Sequence, residues 1–396
     1  MAFNPDRDSG KLHPLFDSNS LLDYHLETFK RGKWKNEPQH YNLRFLHNNL
    51  KLKRELMSGE YRTSKGSEFL KSERGRTRHI RGRTHRDRIV RNILCEQILT
   101  PNLERFLIHN NGASIKGKGL SFSRRMFERD LHNHYLQYGD NVGFIAFFDF
   151  SKYFDNIPHD LAKGQIYPHI DPISISVLDE IFDTFRVDIS YLESEQLDEF
   201  MDSVFNSVEY FNSIPKEQRK GLLFAEKSID IGDRISQNIG VLFASRVDYW
   251  VKNVCAIKRY GRYNDDGYLI CRTREEALEV LEGVYKVADS LHIHINRNKT
   301  RICKLSGKYK YLQIRYSLTE TGRVIRRVTP KALVREKRKL KAYRRLLDKC
   351  ILTLEQIKMA YKSWLGNYRR IMSKRQLSGM NDLFFSLFGE YVRWKK

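Results

Sequence analysis

Asp265 and Asp266 lie between two stretches, Ile257 to Tyr263 and Gly267 to Cys271, that read as strands. The connecting Asn264-Asp265-Asp266 therefore reads as the tip of a hairpin. Asp149 ends the short apolar run Phe144-Ile145-Ala146-Phe147-Phe148, which suits a buried strand. Phosphoryl transfer from a nucleoside triphosphate uses two Mg²⁺ ions about 3.5–4 Å apart, one at the attacking hydroxyl and one at the leaving group. Mg²⁺ takes hard oxygen ligands in tight octahedral geometry, so carboxylates must converge on it from rigid neighbouring strands. Adjacent residues on a strand point to opposite faces, so one of Asp265 and Asp266 is expected to hold metal more firmly than the other. Taken singly, these residues have plainer explanations. Asn-Asp-Asp-Gly is good turn chemistry, and an Asp that ends a strand often caps the next helix. The combination makes a site for two Mg²⁺ ions, with Mn²⁺ as a substitute, the expectation.

Elements that would hold such a site can be traced along the chain. Residues 1–60 read as mostly helical, with a polar break around Arg31 to Tyr41. Arg86 to Leu107 has apolar residues at helical spacing, interrupted at Pro101. The run Ile235 to Val254 reads as helix, as does Arg274 to Ser290 after the hairpin. Short strands are expected near Ile293, Arg301 and Tyr311 and over Val324 to Val328. Three basic amphipathic helices close the chain, roughly Lys331 to Leu347, Leu354 to Ile371 and Lys374 to Phe388. Helices, a mixed middle and a helical end make an α+β chain.

Charge is the unusual feature of the composition. The 396 residues carry a net +23, and so large an excess predicts a polyanionic partner, nucleic acid above all. It is clustered: Lys331 to Lys396 carries +13 and Lys71 to Arg91 a further +7. Asp171 to Glu209 inverts the sign, with 11 acidic residues against one Arg. Two basic stretches around an acidic middle suggest a nucleic-acid path touched by both ends of the chain, with the acidic segment repelled from it. No apolar run approaches the ~20 residues that span a bilayer, and Met1 to Gly10 lacks the apolar core of a leader, so no membrane partner is expected. Five scattered cysteines without a C-x-x-C pair fit a reducing cytoplasm better than a zinc site or a disulfide framework.

Tyr263-Asn264-Asp265-Asp266 resembles the Y-x-D-D box of reverse transcriptases, and the motifs that accompany it resemble, in order, those of the prokaryotic kind. Asp149-Phe150-Ser151-Lys152-Tyr153-Phe154-Asp155 resembles the first catalytic motif, continued by Asn156-Ile157-Pro158-His159. Ile231-Gly232-Asp233-Arg234-Ile235-Ser236-Gln237 is similar to the I-G-x-x-x-S-Q form of bacterial members. Ile295-Asn296-Arg297-Asn298-Lys299-Thr300 resembles N-P-x-K-T with Arg in place of Pro, and Tyr311-Leu312-Gln313-Ile314 stands where a primer-grip hairpin belongs. Upstream, Arg76-Thr77-Arg78-His79-Ile80 and Arg86-Asp87-Arg88-Ile89-Val90 resemble the fingers motifs of group II intron and bacterial enzymes.

The resemblance spans roughly residues 70 to 390 and implies a right-hand polymerase. Its parts would be an N-terminal helical extension (1–70), fingers and a palm with an antiparallel sheet (71–328, with an acidic insertion at about 171–229), and a basic helical thumb (329–396). It implies an RNA-directed DNA polymerase adding dNTPs to a primer end, with an RNA template and a DNA product. Asp149, Asp265 and Asp266 then match the metal carboxylates, with the carbonyl of Phe150 completing the second metal site. Phe154 matches an aromatic gate against the ribose 2′-hydroxyl, and Arg76 and Arg78 match residues that hold the triphosphate. Gly232 would pass close under the nascent pair, Ser236 and Gln237 would buttress the template side, and Lys299 matches a lysine that protonates pyrophosphate. Plainer alternatives stand beside these: a core Phe, a solvated basic stretch, a surface Lys.

Two departures from the family pattern bear on the kind of enzyme. Asp149 and Gly232 are 83 residues apart, wider than in a minimal enzyme, and the acidic stretch fills the gap. The end at Lys396 leaves no room for an RNase H, maturase or endonuclease segment, which points to a stand-alone enzyme. Anti-phage defence, or abortive infection, is the favoured setting, with a diversity-generating retroelement as the alternative. A dedicated noncoding RNA, an accessory protein or a second copy of the chain are the further partners this reading leaves open. The rival readings are template-independent or protein-primed DNA synthesis, an RNA-dependent RNA polymerase, and a basic nucleic-acid-binding scaffold without catalysis.

Overall fold

The computed structural model describes residues 12–73 and 75–392, so the leader reading of Met1 to Gly10 lies outside the described residues. Strands and helices are mixed along the chain. It opens with three helices, Ser18–Gly32, Asn36–Leu43 and Phe45–Met57. The first is capped by the Asp17 carboxylate, which accepts from the Ser20 amide at 2.8 Å. A hairpin follows, β1 (Ser67–Glu73) and β2 (Arg76–Gly82), in antiparallel register with Glu73 opposite Arg76 and Lys71 opposite Arg78. This hairpin was not foreseen, because its charged sequence shows no apolar alternation.

Helix His85–Ile93 continues through a π-helical turn into Thr100–Leu103, where Pro101 sits in the first turn and needs no amide partner. Strand β3 (Phe144–Ser151) is buried along nearly its whole length, as expected of a central strand. A small pair, β4 (Val187–Asp188) and β5 (Phe224–Ala225), brackets helices Ser194–Asp202 and Ser207–Ser213. These elements share a private core of Val187, Ile189, Phe200, Phe205, Tyr210 and Ala225. From Val187 on, the acidic stretch is thus part of a folded element with an apolar core, and its Glu193, Glu195, Glu199, Asp202 and Glu209 are exposed.

The hairpin β6 (Tyr260–Tyr263) and β7 (Asp266–Cys271) is antiparallel, with Tyr263 opposite Asp266. Together with β8 (His294–Ile295) and β9 (Arg301–Lys304) it completes a five-stranded sheet in the order β6-β7-β3-β8, with β9 also pairing β3. A three-stranded sheet of β10 (Tyr309–Tyr311), β11 (Ile314–Leu318) and β12 (Val324–Val328) follows. Helices Pro330–Asp348, Leu354–Tyr368 and Lys374–Phe388 end the chain. The last two begin with capping boxes, Thr353 with Gln356 and Ser373 with Gln376.

Two compact units divide the chain: residues 1–123, 146–269 and 275–301 in one, and 124–145, 270–274 and 302–396 in the other. The boundaries fall inside helices Leu120–Tyr138 and Arg274–Ser290 and inside β3, β7 and β9. In the second unit the closing helices pack around Leu340, Ile357, Tyr361, Leu365, Met380, Phe384 and Phe388. There the β10–β11 turn, with Leu312 and Gln313 both at positive φ, is held by Arg124 on the Leu312 carbonyl (2.7 Å) and by the Tyr368 hydroxyl on Gln313 (3.0 Å). No helix among the described residues is long and apolar enough to cross a membrane.

Candidate active site

Local packing fixes the β6–β7 tip against β3. A methyl group on Gly267 would fall 2.2 Å from the Phe148 ring, so only glycine lets β7 lie this close directly after the two aspartates. The Phe150 amide donates to the Asp265 carbonyl at 3.3 Å. Asn264 takes the left-handed conformation (φ 54°) that Asn tolerates in tight turns. Beneath the tip lies a fully buried guanidinium, Arg262. It donates to both oxygens of buried Asp248 (2.8 and 2.6 Å), to the Val241 carbonyl (2.8 Å) and to the Asn264 carbonyl (3.0 Å). The Tyr260 hydroxyl adds a bond to Asp248 at 2.6 Å. A charge-assisted network therefore holds the turn that carries Asp265 and Asp266.

The three carboxylates feel one another strongly. Burial, then the charge of Asp149, raises the Asp265 carboxyl, while Lys299 and Arg76 pull it back down. Asp266 keeps more of its surface open to solvent than Asp265 does, yet the protein packed around it raises its carboxyl to about 7. The charges of Asp265 and Asp149 and a hydrogen bond with Asp149 add to the rise. Lys299 Nζ is ion-paired with Asp149 Oδ2. The turn bearing Lys299 hangs on the same strand, through the Asn296 amide on the Asp149 carbonyl (2.8 Å) and the Lys299 amide on Asn296 (3.0 Å).

Among the described residues no group of three or more His, Cys, Asp or Glu side chains is arranged to hold a metal ion. The donor set fits divalent metal all the same: hard carboxylate oxygens from β3 and the β6–β7 tip, whose mutual repulsion a cation would relieve. Asp149, Asp265 and Asp266 are the residues that would hold it. Phe150, the next residue of β3, pairs with Ile295 of β8.

Of the two arginines, Arg76 bears electrostatically on Asp265, whereas Arg78 engages Glu73 at 3.5 Å across the hairpin. Gly232 has φ of 100° and lies beside Ile80 of β2, 3.7 Å from where a Cβ would sit. The next residue, Asp233, caps helix Arg234–Phe243 through the Ile235 amide (2.9 Å). It is also ion-paired with Arg91, while Asp230 pairs with Arg83 and, at 3.3 Å, with Arg81. On that helix the Ser236 hydroxyl is buried and makes no hydrogen bond among the described residues, and exposed Gln237 accepts from Ser114 at 3.3 Å. Phe154 is half-buried, its ring against Gly240, where a Cβ would meet it at 3.0 Å. Tyr153 donates to the Gly240 carbonyl at 2.6 Å.

Gly240, the Arg262–Asp248 pair and the Asp230/Asp233 cluster were missed at the level of sequence. Faint signals existed: a Gly amid a helical pattern, and charges inside apolar stretches. Only the fold pairs them.

No family model matches the chain, and no curated protein matches it. Among solved structures it is similar to telomerase from Candida albicans in complex with a TWJ fragment of telomeric RNA, at 11% identity and a TM-score of 0.45, covering 84% of this chain and 60% of that one. It is also similar to apo telomerase from Candida tropicalis truncated from its C-terminal domain, at 12% identity and a TM-score of 0.41, covering 65% of this chain and 54% of that one. The chain thus spans little more than half the length of either.

Proposed function

We propose that this chain is a right-hand polymerase that copies RNA into DNA by metal-dependent nucleotidyl transfer. One observation carries the reading: the hairpin tip bearing Asp265 and Asp266 is bound to β3 beside Asp149, the Phe150 amide donating to the Asp265 carbonyl at 3.3 Å, and Lys299 is ion-paired with Asp149. Bound divalent ions would supply an activated attacking hydroxyl and neutralise the leaving pyrophosphate. Around them the chain's own residues have distinct tasks. The Arg262–Asp248 pair holds the hairpin tip, Lys299 stands ready to give a proton to the departing phosphate, and Arg76 draws the triphosphate. Phe154, backed by Gly240, offers an aromatic face for sugar selection. The basic helices after Pro330 would grip the duplex, and the β1–β2 hairpin would serve as fingers.

Within that class we place the chain with the prokaryotic enzymes, on the I-G-x-x-x-S-Q form of Ile231 to Gln237. Anti-phage defence and a diversity-generating retroelement predict different templates, and sequencing the nucleic acid that copurifies, with the DNA made from it, distinguishes them. The direct test of the activity is primer extension on RNA with Mg²⁺ and labelled dNTPs. Asp265→Asn with Asp266→Asn should abolish incorporation while binding of the primer–template persists, because amides hold Mg²⁺ poorly and the basic surface is untouched. Incorporation by the double variant within about tenfold of wild type would falsify the assignment.

A further inference from the structure

The residues directly after the Phe154 position reach into the acidic element. The Asn156 side chain is fully buried and pairs with the backbone of Phe205 in both directions: its amide donates to the Phe205 carbonyl (3.1 Å) and its oxygen accepts from the Phe205 amide (2.8 Å). Its neighbour Asp155 accepts from the Ser207 amide at 3.1 Å. A third clamp is Lys227, also fully buried, whose ammonium donates to the Met201 and Ser203 carbonyls (2.8 and 2.6 Å) at the end of helix Ser194–Asp202. Segment 203–207 is therefore tied to the turn Tyr153–Asn156 that follows the strand bearing Asp149.

Helix Ser207–Ser213 carries the connection on to the β1–β2 hairpin. The Phe211 ring lies 4.8 Å from the ring of His79 on β2. His79 is buried, with Nε2 2.7 Å from a carboxylate oxygen of Glu68 on β1, and this approach is the largest cause holding Glu68 down to about 2. Arg219 secures the helix end, donating to the carbonyls of Tyr210, Phe211 and Ile214 at 3.2, 3.1 and 2.7 Å. Side chains alternate along a strand, so His79 and Arg81 share one face of β2 while Arg76, Arg78 and Ile80 share the other. The acidic element holds the first face. The second face carries Ile80, which lies beside Gly232, and Arg76, at the start of the same strand.

We infer that residues 203–213 form a strut that positions β2, and so Arg76, over the nucleotide end of the site, with Phe211 and Asn156 as positioning residues for the incoming nucleotide. The inference rests on the polymerase reading for its kinetic consequence, but its structural content is independent of that reading. Phe211→Ala removes the ring from the back of β2 without touching any carboxylate. In the full-length protein, amide hydrogen exchange over residues 67–82 should accelerate while exchange over 144–151 stays unchanged. The KM for dNTP should rise roughly tenfold, because a displaced binding group weakens positioning, with kcat within about twofold. Phe211→Leu should restore most of both effects, since it refills the space beside His79. In an Arg76→Ala background the further rise in KM should vanish, because the strut acts through that arginine. Unchanged exchange over 67–82 in Phe211→Ala, or an undiminished KM effect without Arg76, would overturn the strut. A wild-type protein that incorporates no nucleotide would instead sink the polymerase reading, and the exchange data would still decide whether the element holds β2.

Discussion

Arg262→Met is the perturbation whose size the geometry sets most directly. The guanidinium is fully buried and makes four hydrogen bonds, two to Asp248 and one each to the carbonyls of Val241 and Asn264. Methionine approximates the aliphatic stem but leaves Asp248 buried with only the Tyr260 hydroxyl, and strips partners from two carbonyls. Removing one member of a buried ion pair typically destabilises by about 3–5 kcal/mol. The residual Tyr260 bond lowers that figure and the two stripped carbonyls raise it, at about 1–3 kcal/mol for each group left without a partner. We therefore expect a loss of about 4 kcal/mol in urea unfolding at neutral pH, monitored by far-UV circular dichroism, and little change in that loss with salt because the pair is shielded from ions. Removing both charges in Arg262→Met with Asp248→Leu should recover most of it, since a buried pair replaced by apolar groups is often close to neutral. The freed Asn264 carbonyl should also lower nucleotide incorporation by the single variant, roughly a hundredfold for a displacement near 1 Å. A loss below about 1 kcal/mol in Arg262→Met would refute the argument that this pair holds the catalytic turn, as would a double variant no more stable than the single one.

Three further outcomes are expected. Phe154→Ala should open the space beside Gly240 and reduce the preference for dNTPs over rNTPs by roughly tenfold, since steric exclusion at a packed site is commonly worth about 1–3 kcal/mol; competitive incorporation assays measure it, and a wild type indifferent to the sugar would favour the RNA-polymerase alternative. Joint replacement of Lys337, Arg338, Lys339 and Arg345 by Ala on helix Pro330–Asp348 should reduce the slope of log K against log salt by roughly 0.9 for each phosphate left without its cation; binding isotherms across salt concentrations test it, and an unchanged slope would mean these side chains face water. The raised carboxyl of Asp266 has a signed consequence for the metal-free protein. The folded chain keeps that proton up to about pH 7, whereas the unfolded chain loses it near pH 4, so stability should fall as pH rises through this window and then level off. Asp266→Asn should show a shallower decline in urea midpoints measured from pH 4.5 to 8, and parallel curves would contradict the shift.

Local pattern in the sequence was enough for the β3 run ending at Asp149, the turn at Asn264 to Asp266 and the closing helices, whose Thr353 and Ser373 caps the structure adds. In each case the signal lies within a few residues: an apolar run, turn formers, or apolar residues at helical spacing. The β1–β2 hairpin escaped notice because charged strands lack apolar alternation, and its pairing is supported on the far side by Phe211, more than 130 residues along the chain. The acidic stretch was legible by charge, but its apolar interior around Phe200, Phe205 and Tyr210, and the hold that Asn156 and Lys227 keep on it, were not. The same is true of Arg76, whose bearing on Asp265 depends on where a distant hairpin comes to rest. Residue type and short-range spacing, which are local properties, named the carboxylates proposed to do the chemistry. Their electrostatic coupling, the cations beside them and the buried pair that steadies them depend on contacts between segments far apart in sequence. Only the folded chain decides those contacts.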